Sequence, residues 1–159
     1  MKLCITGTPG TGKTSVSKNL DRFKVIGITE LVEREDLGED VVIEQLLEAL
    51  KNEIELQEDT LIEGHLSHHL ECDYCVVLRC KPDVLRERLS KRDYPDRKVE
   101  QNVEAEILDL VLVEALDNQE KVIEIDTTNR DPENVAEEIE RRIEEDDTGY
   151  GDTDWTDYL

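Results

Sequence analysis

Eight residues near the start of the chain, Gly7-Thr8-Pro9-Gly10-Thr11-Gly12-Lys13-Thr14, restrict the fold more than any other feature of the sequence. They fill every fixed position of the Walker A pattern. A strand-like segment, Lys2 to Thr6, precedes them, and a helix-like pattern from Lys13 to about Leu20 follows. The glycines, Gly10 and Gly12 among them, let the backbone curl so that N–H groups face inward onto phosphate oxygens. The N-terminus of the next helix adds partial positive charge. In this setting Lys13 is expected to reach the β- and γ-phosphates, and Thr14 to offer its hydroxyl to Mg2+. Ser15 is placed to hydrogen-bond the α-phosphate. The expected ligand is a nucleoside triphosphate with magnesium.

The rest of the chain alternates short apolar strands with helical patterns, which argues for a parallel sheet covered by helices on both faces. Further strands are expected at Lys24 to Ile28, Thr60 to Gly64, Tyr74 to Arg79 and Val122 to Ile125. Helices are expected over Leu31 to Asp36, Val41 to Lys51, Pro82 to about Arg92 and Asp131 to Ile143. Val99, Val103, Ile107, Leu110 and Val111 recur at the spacing of one helix face. The residues after Glu144 are acidic and glycine-containing, with the only tryptophan at Trp155; they read as a mobile tail, 146–159. The chain fits one P-loop domain over residues 1–145.

Acidic residues number 41 against 19 basic, a net charge of -22. A surface so charged repels itself at low salt, which suggests a coat adapted to a salt-rich, halophilic cytoplasm or a basic partner. Binding to a nucleic-acid backbone through a broad basic face is disfavoured. No leader precedes the first strand and no apolar run approaches a membrane span, so a cytoplasmic location and no membrane partner are expected. Cys4, Cys72, Cys75 and Cys80 are expected to be reduced thiols. His65, His68, His69, Cys72 and Cys75 have the look of metal-ligand spacing, but one CxxC without a second pair is weak evidence for zinc.

Phosphoryl transfer needs more than the loop. Glu63 ends a buried strand at the carboxyl edge, where ligands of open α/β sheets bind, so it is a candidate for holding Mg2+ with Thr14. His65, two residues on, would face the same cleft and could polarise a water or an acceptor hydroxyl. Arg86, Arg88 and Arg92 precede a break at Tyr94, and such arginines can stabilise charge on the transferred group. Of these, Arg92 sits at the hinge. The catalytic candidates are therefore Lys13, Glu63, His65 and Arg92. No Asn-Lys-x-Asp motif is present, which disfavours a regulatory GTPase.

The Gly7–Thr14 loop, Glu63-Gly64-His65, Val77-Leu78-Arg79, Arg88-Leu89, Arg92-Asp93-Tyr94 and Asn102-Val103-Glu104-Ala105-Glu106-Ile107 occur in that order in the adenylate kinase isoenzyme 6 family. The chain resembles that family, and with its acidic composition a haloarchaeal member, over about residues 1 to 145. The resemblance implies a three-layer nucleoside monophosphate kinase fold with a five-stranded parallel sheet, a monophosphate-binding region at about 28–52 and a short lid at about 91–101. It implies phosphoryl transfer from ATP to AMP or a related monophosphate. It also implies ATPase activity in late maturation of the small ribosomal subunit and its 16S rRNA, with small-subunit ribosomal protein eleven and the pre-40S or 30S particle as partners. Arg88 and, depending on a one-residue shift, Glu33 or Arg34 match substrate-binding positions; Arg34 is the candidate. The family often has Asp where this chain has Glu63. Three readings stay open: a monophosphate kinase, an ATP-driven assembly factor with vestigial kinase activity, and a P-loop kinase for another small acceptor.

Overall fold

The computed structural model describes residues 1–38, 42–51, 53 and 58–159. Five parallel strands form one sheet: β1 (Lys2–Gly7), β2 (Lys24–Gly27), β3 (Thr60–Glu63), β4 (Tyr74–Arg79) and β5 (Val122–Asp126), in the order β2-β3-β1-β4-β5. Among the described residues seven α-helices accompany them: α1 (Lys13–Ser17), α2 (Ile28–Arg34), α3 (Ile43–Lys51), α4 (Pro82–Ser90), α5 (Asp96–Ile107), α6 (Leu110–Asn118) and α7 (Pro132–Glu144). This is the α/β, parallel five-stranded architecture the sequence predicts. Val41, the expected start of α3, lies outside the described residues, as does part of the region 28–52. No helix among the described residues is long and apolar enough to cross a membrane.

The strand centres Leu3-Cys4-Ile5, Leu61-Ile62 and Cys75-Val76-Val77-Leu78 are apolar and buried because both faces are covered there, as parallel sheets require. Alternate residues then point to opposite layers. Leu3, Ile5, Val76, Leu78, Ile123 and Ile125 pack with Val16 and Leu20 near α1 and with Val135 and Ile139 of α7. Cys4, Ile62, Cys75 and Val77 pack on the other face with Leu31, Leu46, Leu50 and Leu112. A third cluster, Cys80, Leu85, Leu89, Val99 and Val103, joins α4 to α5 beyond the end of β4. Local signals set the helix starts. Pro82 opens α4, while Asp131 caps α7 by accepting from the Glu133 N–H at 3.0 Å.

Three expectations are corrected. The stripe from Val99 to Val111 is two helices, because Asp109 adopts a left-handed conformation with φ of 56° and its carboxylate is held by the Arg79 guanidinium. Cys4 and Cys72 are paired as a disulfide rather than free: the start of β1 and the loop before β4 bring their Cα atoms to 5.9 Å, within the span of such a bond. Cys75 and Cys80 are free and buried. The tail is docked rather than mobile. Gly149 lies parallel to β5, accepting from Glu124 N and donating to Val122 O, each at 2.9 Å. Composition misjudged this segment because a paired backbone does not need apolar side chains of its own.

Register places the site. Ile5 of β1 is level with Glu63 of β3, which is level with Gly27 of β2. The chain leaves β1 toward β2 on one side, while β4 lies on the other side of β1. The crevice at this change of direction, outside the carboxyl ends of the strands, is where open α/β sheets bind ligands.

Candidate active site

The phosphate loop wraps from Gly7 to the start of α1 with Gly7, Gly10 and Gly12 at φ of 148°, 92° and 103°. Gly10 is constrained twice, since a Cβ there would lie 2.9 Å from Leu85 Cδ1 and 3.0 Å from Leu89 Cδ2. Gly12 has open space around it and is needed for its backbone conformation alone. Lys13 folds back over the loop, donating from Nζ to Gly7 O at 2.8 Å and Thr8 O at 3.1 Å. Its ammonium is enclosed although the residue keeps some exposed surface. Burial pushes its pKa from 10.5 down to about 8; Glu63 and Glu106 oppose the shift, and Arg92 adds to it.

Thr14 Oγ1 donates to Glu63 Oε1 at 3.1 Å, so the two residues chosen as metal ligands meet across the crevice. A hydroxyl and a carboxylate offered side by side suit a hard cation, and Mg2+ fits this donor set. His65 reaches solvent, yet the protein around its ring lowers its pKa, and the nearby Lys13 charge lowers it further. The shift favours the neutral imidazole, whose free ring nitrogen can accept a proton.

A cleft of about 410 Å³ opens on the outer side of the loop, between Gly10, Gly12, Ser15, Arg88, Arg92 and Arg130. Arg88 donates to Gly10 O at 3.2 Å and to Thr127 O at 3.4 Å. Arg92, just past the end of α4, is close enough to Lys13 for its charge to act on that ammonium. Arg86 instead pairs with Glu100 at 2.8 Å and Asp83 at 3.5 Å, a solvated helix contact. Arg34 is 55 % exposed and is held by Glu53 and Glu35. The two candidate substrate arginines therefore engage different groups, Arg88 on the phosphate loop and Arg34 at the end of α2. A larger cleft, about 770 Å³, lies at the opposite, amino-terminal end of the strands by Met1, Asp73 and Lys121, away from the loop.

The histidine and cysteine stretch does not converge on one point. His68 is buried between Thr6 Oγ1 at 2.7 Å and Glu114 Oε2 at 2.8 Å, and burial lowers its pKa against the pull of Glu114. His69 Nε2 is 3.7 Å from the same carboxylate. Cys72 is bonded to Cys4, and burial pushes the Cys75 thiol up to about 12. Among the described residues only His68, His69 and Glu114 lie within ligand distance of one another, and these contacts already satisfy both ring nitrogens of His68.

The support beneath the loop was not read from the sequence. Glu106 is 2 % exposed and accepts from Thr8 Oγ1 at 2.7 Å, Arg79 Nε at 2.6 Å and Trp155 Nε1 at 3.2 Å. Arg79 also donates to Glu124 Oε2 at 2.8 Å, and burial, which works against its charge, is outweighed by Glu106 and Asp109 together, so its pKa is raised. Thr127 Oγ1 donates to Thr11 O at 2.7 Å. One signal existed. Val99, Val103 and Glu106 stand at i, i+4 and i+7, so an acid occupies a place in the apolar stripe of α5.

A protein-family profile described as AAA domain matches residues 3–109. Two archaeal relatives, from Methanocaldococcus jannaschii and Natronomonas pharaonis, are named "Putative adenylate kinase". The first is 47% identical over 175 residues, covering 100% of this chain and 97% of the relative. The second is 43% identical over 168 residues, covering 100% of both. The chain belongs to this archaeal adenylate kinase family. Among solved structures, shikimate kinase from Bacteroides thetaiotaomicron has a TM-score of 0.61 at 16% identity, over 91% of this chain and 98% of that one. Deoxyadenosine kinase from M. mycoides with bound dATP gives 0.53 at 13%, over 91% and 100%. These likenesses show the P-loop kinase fold, to which the archaeal adenylate kinase family adds close kinship along the whole chain.

Proposed function

We propose that this chain is an ATP-dependent nucleoside monophosphate kinase that transfers the γ-phosphoryl group of ATP to AMP or a related monophosphate. The observation that carries the reading is the meeting of Lys13, Thr14 and Glu63 at the carboxyl edge of β1 and β3; kinship with the archaeal adenylate kinases supports it. In the reaction an acceptor oxygen bonds to the γ-phosphorus, the bond to the β-phosphate oxygen breaks, and ADP leaves. Lys13, Arg88 and Arg92 supply cations for the charge spread over the transferred oxygens. Gly10, Gly12 and Ser15 cradle the chain of phosphates. Thr14 and Glu63 would hold Mg2+, which would supply positive charge against that of the phosphates. The region 28–52 with Arg34 receives the monophosphate, and residues 91–101 form the lid.

A second reading has its own support. A monophosphate oxygen is already anionic and needs no base, whereas water does, and His65, whose pKa is lowered by burial and by Lys13, can take that proton. Arg34, meanwhile, is engaged by two carboxylates. Both features favour ATP hydrolysis, in the role the isoenzyme 6 resemblance implies: a cytoplasmic, salt-adapted ATPase acting on small-subunit ribosomal protein eleven during 16S rRNA maturation. A net charge of -22 suits a basic partner. The deciding experiment incubates the protein with magnesium-ATP in high salt, alone and with each monophosphate, and quantifies ADP, diphosphate products and free phosphate. Monophosphate-dependent ADP without free phosphate is the kinase result. Free phosphate unaffected by any monophosphate refutes it in favour of the ATPase.

A further inference from the structure

The docked C-terminal segment does more than cover β5. Beyond Gly149 it runs along buried charges: the N–H groups of Gly151 and Thr153 donate to Glu124 Oε1 at 2.9 and 3.4 Å. Trp155 Nε1 then donates to Glu106 Oε1, and Tyr158 Oη to Asp83 Oδ2 at 3.1 Å. Glu106 uses its other oxygen, Oε2, to hold the Thr8 hydroxyl. The Thr8 carbonyl in turn accepts from Lys13 Nζ, from Thr11 N at 3.2 Å and from Thr11 Oγ1 at 2.8 Å. A continuous line of hydrogen bonds thus runs from Trp155 through Glu106 and Thr8 to Lys13.

We infer that Glu106 and Trp155 are positioning residues of the phosphate loop, and that the C-terminal segment senses through them whether the loop holds a nucleotide. The inference rests on the phosphate loop being the nucleotide site. Glu106 is buried, so its carboxylate cannot exchange a lost partner for water, and each of its contacts fixes the others. Thr8 therefore has one seat, set by α5 and by Trp155. When phosphates draw the Lys13 ammonium off Gly7 O and Thr8 O, the Thr8 peptide loses a charged partner. Its hydroxyl shifts on Glu106, and the indole sharing that carboxylate registers the change. A purely structural tail would leave Trp155 indifferent to nucleotide.

Trp155 is the only tryptophan, so its emission reads this one position. Magnesium with a non-hydrolysable ATP analogue is titrated in high salt, and fluorescence and heat are followed in parallel. Wild type is expected to show both a binding heat and a saturable change in emission with the same midpoint. Thr8→Val, which keeps the shape and removes the hydroxyl, is expected to bind more weakly by calorimetry but to saturation, and at saturation to lose most of the emission change. Trp155→Phe is expected to remain folded and to raise the KM for ATP roughly tenfold, the scale of a lost hydrogen bond to a charge, with a smaller effect on kcat. Binding heat without an emission change in wild type overturns the relay, as does a full response in Thr8→Val. No binding heat in wild type sinks the nucleotide reading itself, and the relay with it.

Discussion

Replacing Arg79 by Met should cost more stability than any single change at the surface. Arg79 and the carboxylates of Glu106 and Glu124 are each 2 % exposed at the side chain. Methionine fills a similar volume without the four hydrogen bonds that the guanidinium donates to Glu106 Oε1, Glu106 O, Glu124 Oε2 and Asp109. Two buried carboxylates would then stand without their cation. Breaking a buried pair by removing one partner costs about 3–5 kcal/mol. For a chain of this size each kcal/mol moves Tm by roughly 2–4 °C, so the variant should melt roughly 6–20 °C lower. Far-UV circular dichroism during heating in molar potassium chloride measures this. The triple variant Arg79→Met, Glu106→Gln, Glu124→Gln removes the stranded charges and should recover a good part of the loss. If Arg79→Met melts within about 2 °C of wild type, or if the triple variant melts no higher than the single one, the buried ion cluster is not what holds the α5 end of the fold to β4 and β5.

Three further outcomes are expected. Tm should rise from low salt to molar potassium chloride, because a net charge of -22 repels itself less as the screening length shrinks from about 10 Å to about 3 Å; a flat or falling Tm counts against a self-repelling surface. The pKa of Lys13 is lowered in the ligand-free fold to about 8, so stability should rise as pH climbs from there toward the unfolded value, and nucleotide binding in that window should take up a proton. Calorimetry in buffers of different ionisation enthalpy reads the uptake, and identical heats at about pH 9 would contradict it. Glu63→Ala with His65→Ala should bind ATP within roughly tenfold of wild type and hydrolyse it on the order of 10²-fold more slowly, as measured by phosphate release; normal turnover removes both residues from the mechanism.

The parallel sheet and the phosphate loop were legible because each is written in contiguous residues. An unbroken apolar run such as Val76-Val77-Leu78 can hardly be other than a covered strand, and Gly7 to Thr14 carries its own geometry. The nearness of Thr14 and Glu63 was also legible, since β1 and β3 both end at the carboxyl edge and need only lie side by side. What stayed hidden depends on pairs far apart in the chain. Thr8 meets Glu106 across 98 positions and Trp155 meets Glu106 across 49, and nothing local announces either contact. Asp109 looked like one more residue of a helix because periodicity counts apolar positions and is blind to a left-handed turn. The tail looked unstructured because its order comes from backbone pairing and from charges it meets on β5 and α5, neither of which hydropathy records.

The docked tail also alters what two copies of this chain can do to one another. An open sheet has two edges, and each is a template for strand addition from a neighbour. Here β2 is only four residues long and carries Lys24, while β5 has Val122 O and Glu124 N already taken by Gly149. In dilute salt the acidic coat would keep copies apart without such measures. In molar salt its repulsion reaches only a few ångströms, and solubility then depends on groups that act at contact. By pairing its own backbone at the sheet margin, the chain guards against fibre-like self-association under the conditions where its charge offers least protection.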